Sequence, residues 1–297
     1  MRILILGGNG MLGHKLFQVL GDGHEVFTTF RNLPGQNELA PVYHDVAADH
    51  LICGIDASIP ATVEEIIKAI RPEVVINCIG IIKQVSAAND SIQSITINAL
   101  FPHQLAQFCR SVSARLIHFS TDCVFTGRKG SYVEDDLCDT DTLYGRSKLL
   151  GEVDEPGALT LRTSFIGRDF FKQVGLLEWF IGNQGGLVSG YRRVIYSGLT
   201  SLALARLVAD LIRDFPALSG IYHVASEPIS KYDLLVRLAL APELDIVVDP
   251  CDEPVCDRSL DATRFLTATG YRLPDWDTMI KDLAEDPTPY GPLKKKS

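Results

Sequence analysis

Apolar runs alternate with segments of helical periodicity through the first half of the chain. Such alternation is typical of βαβ units, in which parallel strands form a sheet that helices cover on both faces. The continuous apolar stretch VVINCIG fits a strand at the buried centre of that sheet. The sequence therefore predicts an α/β fold with a doubly wound parallel sheet, with elements at 3–6, 11–20, 25–29, 61–70, 74–78, 92–110 and 115–120.

The alternation becomes less regular after about residue 165, where glycine- and asparagine-rich turns and proline-rich punctuation follow. We therefore predict a first domain over residues 1–165 that contains the parallel sheet. A smaller, mainly substrate-binding region is predicted over 166–297, with segments at about 190–226 that return to the first domain.

The composition is that of a globular protein with a large core, since 46% of the 297 residues are hydrophobic and 22% are charged. The first residues, MRILILGG, lack the features of a signal peptide, and no apolar run reaches membrane-spanning length, so we expect a cytoplasmic protein. The net charge of −9 argues against nucleic acid as the main partner. An anionic substrate would then require local cations.

The seven cysteines are an odd number, which suits reduced thiols better than a disulfide framework. Cys251 and Cys256 are the closest pair, but no CxxC motif or histidine cluster accompanies them. The sequence therefore predicts no metal site.

Residues 1–16, MRILILGGNGMLGHKL, place a strand, a glycine turn and an amphipathic helix in the order that holds a dinucleotide pyrophosphate. In this GxxGxxG pattern Gly7 permits the tight turn, Gly10 lets the backbone approach the phosphates, and Gly13 lets helix and strand pack closely. The first helical residues, Met11 and Leu12, lie where N–H donors and the helix dipole favour an anion. An ordinary βα turn is the alternative, and the N-terminal position between strand and helix favours the cofactor site.

The second predicted strand, HEVFTT, is followed by Phe30 and Arg31. A guanidinium at this place can pair with a ribose 2′-phosphate, whereas an NAD-specific site usually carries an acidic residue there. We therefore predict NADPH as the cofactor, with NADH possible. Arg31 can equally be a solvated loop residue, and Asp56 can contact the adenine or serve only as a loop residue or helix cap.

Tyr144 and Lys148 form a YxxxK pair at the start of the helical run YGRSKLLGEV and project from one face of that helix. A cation beside a tyrosine hydroxyl stabilises the phenolate and lowers a pKa that is otherwise too high for proton exchange at neutral pH. The same pattern also occurs by chance on surface helices, so its weight depends on the residues that precede it.

The preceding segment, LIHFSTDCVFTG, is an apolar strand that ends near Thr121 and Asp122. A hydroxyl at the carboxyl edge of an open α/β sheet can hydrogen-bond a substrate carbonyl, although an ST-turn that closes the strand explains it too. The glycine turn, the strand-end threonine and the YxxxK pair in this order predict an oxidoreductase.

The chain resembles the extended short-chain dehydrogenase/reductases, and among them the dTDP-4-dehydrorhamnose reductase group, over nearly its whole length. The segments that carry the resemblance are STDCVFTG, YVEDD, LYGRSKLLGE, LRTSFIG, ITINALFPHQLA, SGLTS and GIYHVAS. The resemblance implies a Rossmann fold, a nucleotide-sugar substrate, and a role in deoxysugar and polysaccharide biosynthesis. It also implies hydride transfer to the 4-carbon of a nucleotide-activated 4-keto-6-deoxy sugar.

By that resemblance Tyr144 is the general acid, Lys148 holds the tyrosine and the nicotinamide ribose, Thr121 orients the carbonyl, and Asn98 supports the proton relay. The cofactor site is further expected to include Cys78, Gly80 and Thr163. Substrate contacts are expected from Lys83, Asp122, Cys123, Ser164, Phe165, Arg192, Arg193 and Arg258, of which the lysine and the arginines can equally be solvated.

Three residues depart from the pattern of these reductases and leave the exact sugar open. Cys123 stands where tyrosine is usual, Phe165 where tryptophan is usual, and Thr200 where a proline is expected. His223, within an apolar strand, is interpreted as a structural histidine.

Two other functions fit the same residues. A nucleotide-sugar epimerase or dehydratase would use the same scaffold and recycle its cofactor, and the RTSFIG and STD segments favour the reductase instead. A non-catalytic subunit similar to the regulatory subunit of methionine adenosyltransferase shares this fold, and fold alone does not decide function. We expect a nucleotide-sugar partner and a possible homodimer, with no nucleic-acid or membrane partner.

Overall fold

The computed structural model describes residues 1–32, 41–82, 89–170, 175–241 and 244–290. The strands are β1 (Arg2–Leu6), β2 (Glu25–Thr29), β3 (Leu51–Ile52), β4 (Val74–Asn77), β5 (Arg115–Thr121), β6 (Ala158–Thr163), β7 (Phe165–Ile166), β8 (Gly186–Tyr191), β9 (Val194–Tyr196), β10 (Leu199–Thr200), β11 (Gly220–His223), β12 (Ile229–Ser230), β13 (Ile246–Cys251) and β14 (Cys256–Asp257). The helices are α1 (Met11–Gly21), α2 (Pro60–Ile70), α3 (Ser91–Ser94), α4 (Phe101–Ser111), α5 (Leu143–Leu150), α6 (Leu176–Ile181), α7 (Ser201–Asp214), α8 (Lys231–Leu240), α9 (Thr263–Thr269) and α10 (Trp276–Ala284).

The chain forms two compact units, each made of several segments. The first unit comprises Met1–Thr121, Asp141–Arg162 and Ala205–Ile221, and the second comprises the remaining segments, Asp122–Thr140, Thr163–Leu204 and Tyr222–Ser297. The predicted division at residue 165 differs from this one, in which the boundary falls after Arg162. Residues 122–140 group with the second unit, and the segment that returns to the first unit is 205–221 rather than about 190–226.

A seven-stranded sheet with the order β11-β6-β5-β4-β1-β2-β3 organises the first unit. The pairs β1 with β2, β1 with β4, β2 with β3, and β4 with β5 are parallel. The chain winds outward from β1 to β3, and then resumes on the other side of β1 with β4. The doubly wound parallel sheet is thereby confirmed, and its topological switch point lies between β1 and β4.

Apolar side chains of the sheet and its covering helices form the core of the first unit. Leu4, Val75 and Leu116 project from neighbouring strands and pack with Ile67 of α2 and Phe101 of α4. These side chains are fully or almost fully buried, which explains why the central strands read as continuous apolar runs.

One helical run differs from its sequence prediction. The predicted helix at 92–110 begins at Ser91 and contains a π-helical turn at Ile95–Leu100 between α3 and α4. Such turns are rare and occur frequently at functional sites. Asn98, a predicted active-site residue, lies within this turn.

The second unit contains small sheets with the orders β10-β7, β12-β9-β14 and β13-β8. Its predicted structural histidine, His223, is buried, and its Nδ1 lies 3.0 Å from the carbonyl oxygen of Tyr132. Within the described ranges, no helix combines the length and apolar character needed to cross a membrane.

Candidate active site

The glycine turn lies at the switch point, between β1 and α1. Gly7 has a φ of +90°, which favours glycine because a Cβ would be strained there. A Cβ on Gly13 would lie 2.2 Å from the carbonyl oxygen of Gly7, so helix and strand approach too closely for any side chain. A Cβ on Gly10 would meet only that same oxygen, at 3.4 Å. This geometry leaves the backbone at Gly10 accessible beside the N-terminus of α1, where Met11 and Leu12 begin the helix.

Arg31 and Asp56 lie together beyond the ends of β2 and β3. The Arg31 Nε is 3.3 Å from the Asp56 Oδ2, and 63% of the arginine side chain is exposed. Burial acts to raise the pKa of the Asp56 carboxylate, but the hydrogen bonds that it accepts from the backbone N–H and hydroxyl of Ser58, together with the charge of Arg31, outweigh burial and lower that pKa. The pair therefore presents one exposed guanidinium at the edge of the sheet where a dinucleotide would be bound.

Asn98 joins the π-helical turn to the loop after β4 and to helix α5. Its Oδ1 accepts from the backbone N–H of Ile81 at 2.9 Å, and its Nδ2 donates to the Ile81 carbonyl at 3.0 Å and to the Ser147 hydroxyl at 3.3 Å. Gly80, in the same loop, is close enough that a Cβ would lie 3.5 Å from the Asn98 Oδ1. Cys78, before this loop, donates its backbone N–H to Leu6. Asn98 therefore connects the predicted cofactor loop with the helix that carries the YxxxK pair.

Helix α5 carries Tyr144 and Lys148. Its N-cap is Thr142, whose hydroxyl accepts from the backbone N–H of Gly145, so the helix begins just before the tyrosine. Lys148 is buried, and its Nζ donates to the carbonyl of Phe119 on β5 at 2.7 Å. Burial lowers the pKa of Lys148 to about 8. The ammonium is thus fixed against β5, the strand that ends at Thr121.

Three residues that support this arrangement were not predicted to do so, although Arg162 begins the 162–165 segment for which the resemblance implies contacts with the sugar or nicotinamide. Gly151 follows α5, and a Cβ there would lie 1.9 Å from the carbonyl oxygen of Asn98. Glu152 pairs with Arg162 through a contact of 2.8 Å, and both side chains are almost fully buried. The glycine and the glutamate lie within the quoted run YGRSKLLGE, so a glycine followed by an acidic residue after the YxxxK pair was the available signal.

Four predicted substrate residues, at positions 122, 123, 164 and 165, belong to the second unit. Asp122 and Cys123 begin a 3₁₀ turn at Asp122–Val124, and Asp122 is buried. Ser164 immediately precedes β7, and Phe165, the first residue of that strand, pairs with Leu199 of β10. The second unit therefore brings the SFIG and SGLTS segments together. Thr163, predicted for the cofactor, is buried at the end of β6.

The predicted phosphate-binding arginines of the second unit have protein partners. Arg192 donates two hydrogen bonds to Asp252, at 2.9 and 3.0 Å, and Arg193 lies 3.9 Å from Glu253. Arg258 donates from Nε to the carbonyl of Phe125, three residues after Asp122. The Arg193 carbonyl accepts from the backbone N–H of Cys256 at 3.0 Å, so this arginine and Arg258 lie on two backbone segments that are hydrogen-bonded to each other. Lys83 lies outside the described residues.

All seven cysteines fall in the described ranges, and none of them forms a disulfide. Cys251 and Cys256 contact backbone carbonyls, those of Glu253 and Thr126 respectively. Among the residues that the structure describes, no group of three or more His, Cys, Asp or Glu side chains is arranged to hold a metal.

Known proteins share this sequence pattern and fold. The family model of the RmlD substrate binding domain matches residues 1–174. A dTDP-4-dehydrorhamnose reductase of Aggregatibacter actinomycetemcomitans is 26% identical over 95% of this chain and 98% of its own length.

Two solved structures have the same fold over most of the chain. A dTDP-4-dehydrorhamnose reductase of Bacillus anthracis in complex with NADP has a TM-score of 0.77 at 22% identity, covering 95% of this chain and 98% of the other. The UDP-glucose 4-epimerase of Thermus thermophilus in complex with NAD has a TM-score of 0.74 at 20% identity, with coverages of 96% and 98%.

Proposed function

The chain belongs to the family of the RmlD substrate binding domain, and from that premise we propose that it is an NADPH-dependent reductase of a nucleotide-activated 4-keto-6-deoxy sugar. The observation that carries the proposal is the placement of Lys148, whose ammonium is buried against the strand that ends at Thr121, one helical turn from Tyr144. The relative of Aggregatibacter, named for the reduction of such a sugar, aligns over nearly the whole chain.

The residues at the switch point suit a dinucleotide. The open backbone at Gly10 and the N-terminus of α1 are proposed to hold the pyrophosphate, and Arg31 the 2′-phosphate of NADPH. Cys78, Gly80 and Thr163 are proposed to line the rest of this site. When bound, NADPH supplies the hydride for reduction.

The chain's own residues are proposed to supply the proton and orient the ketone. Tyr144 donates its phenolic proton to the keto oxygen, and the Lys148 ammonium stabilises the phenolate that remains. Thr121 donates a hydrogen bond to the same oxygen as negative charge develops there. Asn98 donates to the Ser147 hydroxyl, which donates in turn to the backbone carbonyl of Tyr144. Through these bonds Asn98 is proposed to hold helix α5 in place and to support the relay of protons to Tyr144.

Residues of the second unit are proposed to select the substrate. Asp122, Cys123, Ser164 and Phe165 would contact the sugar, and Arg258 the diphosphate. Arg192 and Arg193 are proposed to bind the diphosphate as well, and to give up their contacts with Asp252 and Glu253 when they do so. A cytoplasmic location and a homodimer remain predictions.

The test is a panel of nucleotide 4-keto-6-deoxy sugars with NADPH or NADH, monitored by cofactor absorbance and followed by product stereochemistry. A reductase oxidises one cofactor per ketone reduced. An epimerase or dehydratase would convert the sugar without net oxidation of the cofactor. A stable complex with a synthetase and no turnover on any sugar would instead support the regulatory-subunit alternative.

A further inference from the structure

Glu152 has a buried carboxylate at a junction of three elements. Its Oε1 accepts from the Ser120 hydroxyl at 2.6 Å and from the Arg162 Nε at 2.8 Å, and its Oε2 accepts from the Arg162 Nη2 at 2.8 Å. Only 4% of the Glu152 side chain and 6% of the Arg162 side chain are exposed. A buried bidentate pair of this kind fixes both side chains in one geometry.

Glu152 and the two partners of its carboxylate lie next to predicted site residues. Ser120 immediately precedes Thr121 at the end of β5, and Arg162 lies one residue before the end of β6. Glu152 itself follows Gly151, which is in close contact with the backbone of Asn98. One carboxylate therefore ties the ends of two neighbouring strands to the end of the helix that carries Tyr144 and Lys148.

Glu152 is also the acidic group that acts on Lys148. Burial lowers the pKa of Lys148, and the negative charge of Glu152 opposes that effect. Burial and the charges of Lys148 and His103 lower the pKa of His118, on β5, well below its ordinary value. His118 therefore adds no charge at neutral pH. Arg162 is already paired with Glu152.

We propose that Glu152 is a positioning residue whose buried carboxylate fixes the ends of β5 and β6 against the end of α5, the helix that carries Lys148, a role that rests on the proposed reductase function. Burial alone favours the neutral amine, which cannot stabilise a phenolate. Ser120 and Arg162 occupy both oxygens of the buried carboxylate, so Glu152 is proposed to act through these neighbours and not on the substrate itself.

The first experiment measures the titration of Lys148 without substrate. In protein labelled with ¹³C-lysine, the ε-carbon signal of Lys148 is assigned by its loss in Lys148→Met and followed against pH. Glu152→Gln should move the midpoint to lower pH by about one unit, because it removes a favourable negative charge and keeps the side-chain shape. The matched control is Glu155→Gln, which breaks the exposed pair with Arg110 and should leave the midpoint unchanged. An unshifted midpoint in Glu152→Gln overturns the proposal.

The second experiment separates charge from geometry in turnover. In Glu152→Gln the alkaline limb of kcat should move with the lysine midpoint while KM changes less than twofold. Glu152→Asp keeps the charge and shortens the reach, so it should lower kcat by about tenfold at every pH without moving the limb. If the glutamine variant does not fold, because Arg162 loses its buried partner, the aspartate variant decides: wild-type kcat and NADPH affinity in that variant overturn the proposal.

Different results would refute the proposed reductase function and the proposed role of Glu152. A wild-type protein that oxidises no NADPH with any keto sugar refutes the proposed function. The lysine titration is measured without a sugar and still tests the effect of Glu152 on Lys148.

Discussion

Replacing Gly151 with alanine should push the end of α5, the helix that carries Tyr144 and Lys148, away from the π-helical turn that contains Asn98. The new Cβ would lie 1.9 Å from the carbonyl oxygen of Asn98, and contacts below 3.0 Å are essentially never seen for this atom. The end of α5 and the π-helical turn must therefore separate by about 1 Å to bring that contact from 1.9 Å to 3.0 Å, a backbone shift of the kind that overpacking forces.

The expected cost has a thermodynamic and a kinetic part. Overpacking typically costs about 1 to 3 kcal/mol, which corresponds to roughly 2 to 10 °C in Tm for a chain of this size. A displacement of about 1 Å at a catalytic group can lower turnover by about a hundredfold. Thermal unfolding followed by circular dichroism measures the first part, and NADPH oxidation with the preferred keto sugar measures the second.

The matched control is Gly21→Ala, at the end of α1, where a Cβ would meet nothing within 4 Å. That variant should keep its turnover and gain up to about 1 kcal/mol, because alanine is the better helix former. A Gly151→Ala protein with the Tm and turnover of the wild type would refute the argument from close contact.

Five further results are expected. Tyr144→Phe should lower turnover by about a hundredfold or more with little change in NADPH affinity, and near wild-type turnover would show that another acid carries the proton. Lys148→Met should lose both turnover and cofactor affinity, whereas Thr121→Val, which removes one hydrogen bond and no charge, should be the mildest of the three when compared as folded proteins. Arg31→Ala should weaken NADPH binding by about 1 to 3 kcal/mol and leave NADH nearly unchanged in a fluorescence titration, and equal losses for both would refute its assignment. Turnover should fall as the pH rises above about 8, because the Lys148 ammonium loses its proton there, and a rate that stays constant to pH 10 would contradict a role for that charge.

The sequence was most informative where a local backbone requirement fixes the residue type. Gly7 has the positive φ that the turn demands, Gly13 has no room for a side chain, and Thr121 is the last residue of its strand. Strand periodicity and glycine spacing are local properties, so the doubly wound sheet and its switch point were predictable from them.

The residues that escaped prediction depend on contacts distant in sequence. Glu152 meets Ser120 across 32 positions, and Asp252, the unpredicted partner of Arg192, lies 60 positions further along the chain than that arginine. No periodicity in the sequence specifies such pairs. The π-helical turn around Asn98 has the same apolar pattern as an ordinary helix, because one extra residue in a turn leaves little trace in periodicity.

The return of 205–221 to the first unit has a consequence for synthesis on the ribosome. Arg115, at the start of β5, donates to the carbonyls of Leu211 and Leu218, and β11 forms the outer strand of the sheet beside β6. A nascent chain that ends at residue 174, where the match to the family model ends, therefore lacks the carbonyls of Leu211 and Leu218 and also lacks the edge strand β11. The sheet can reach its final form only after residue 223 has emerged, so the N-terminal segment must stay incompletely folded while about 50 further residues are translated.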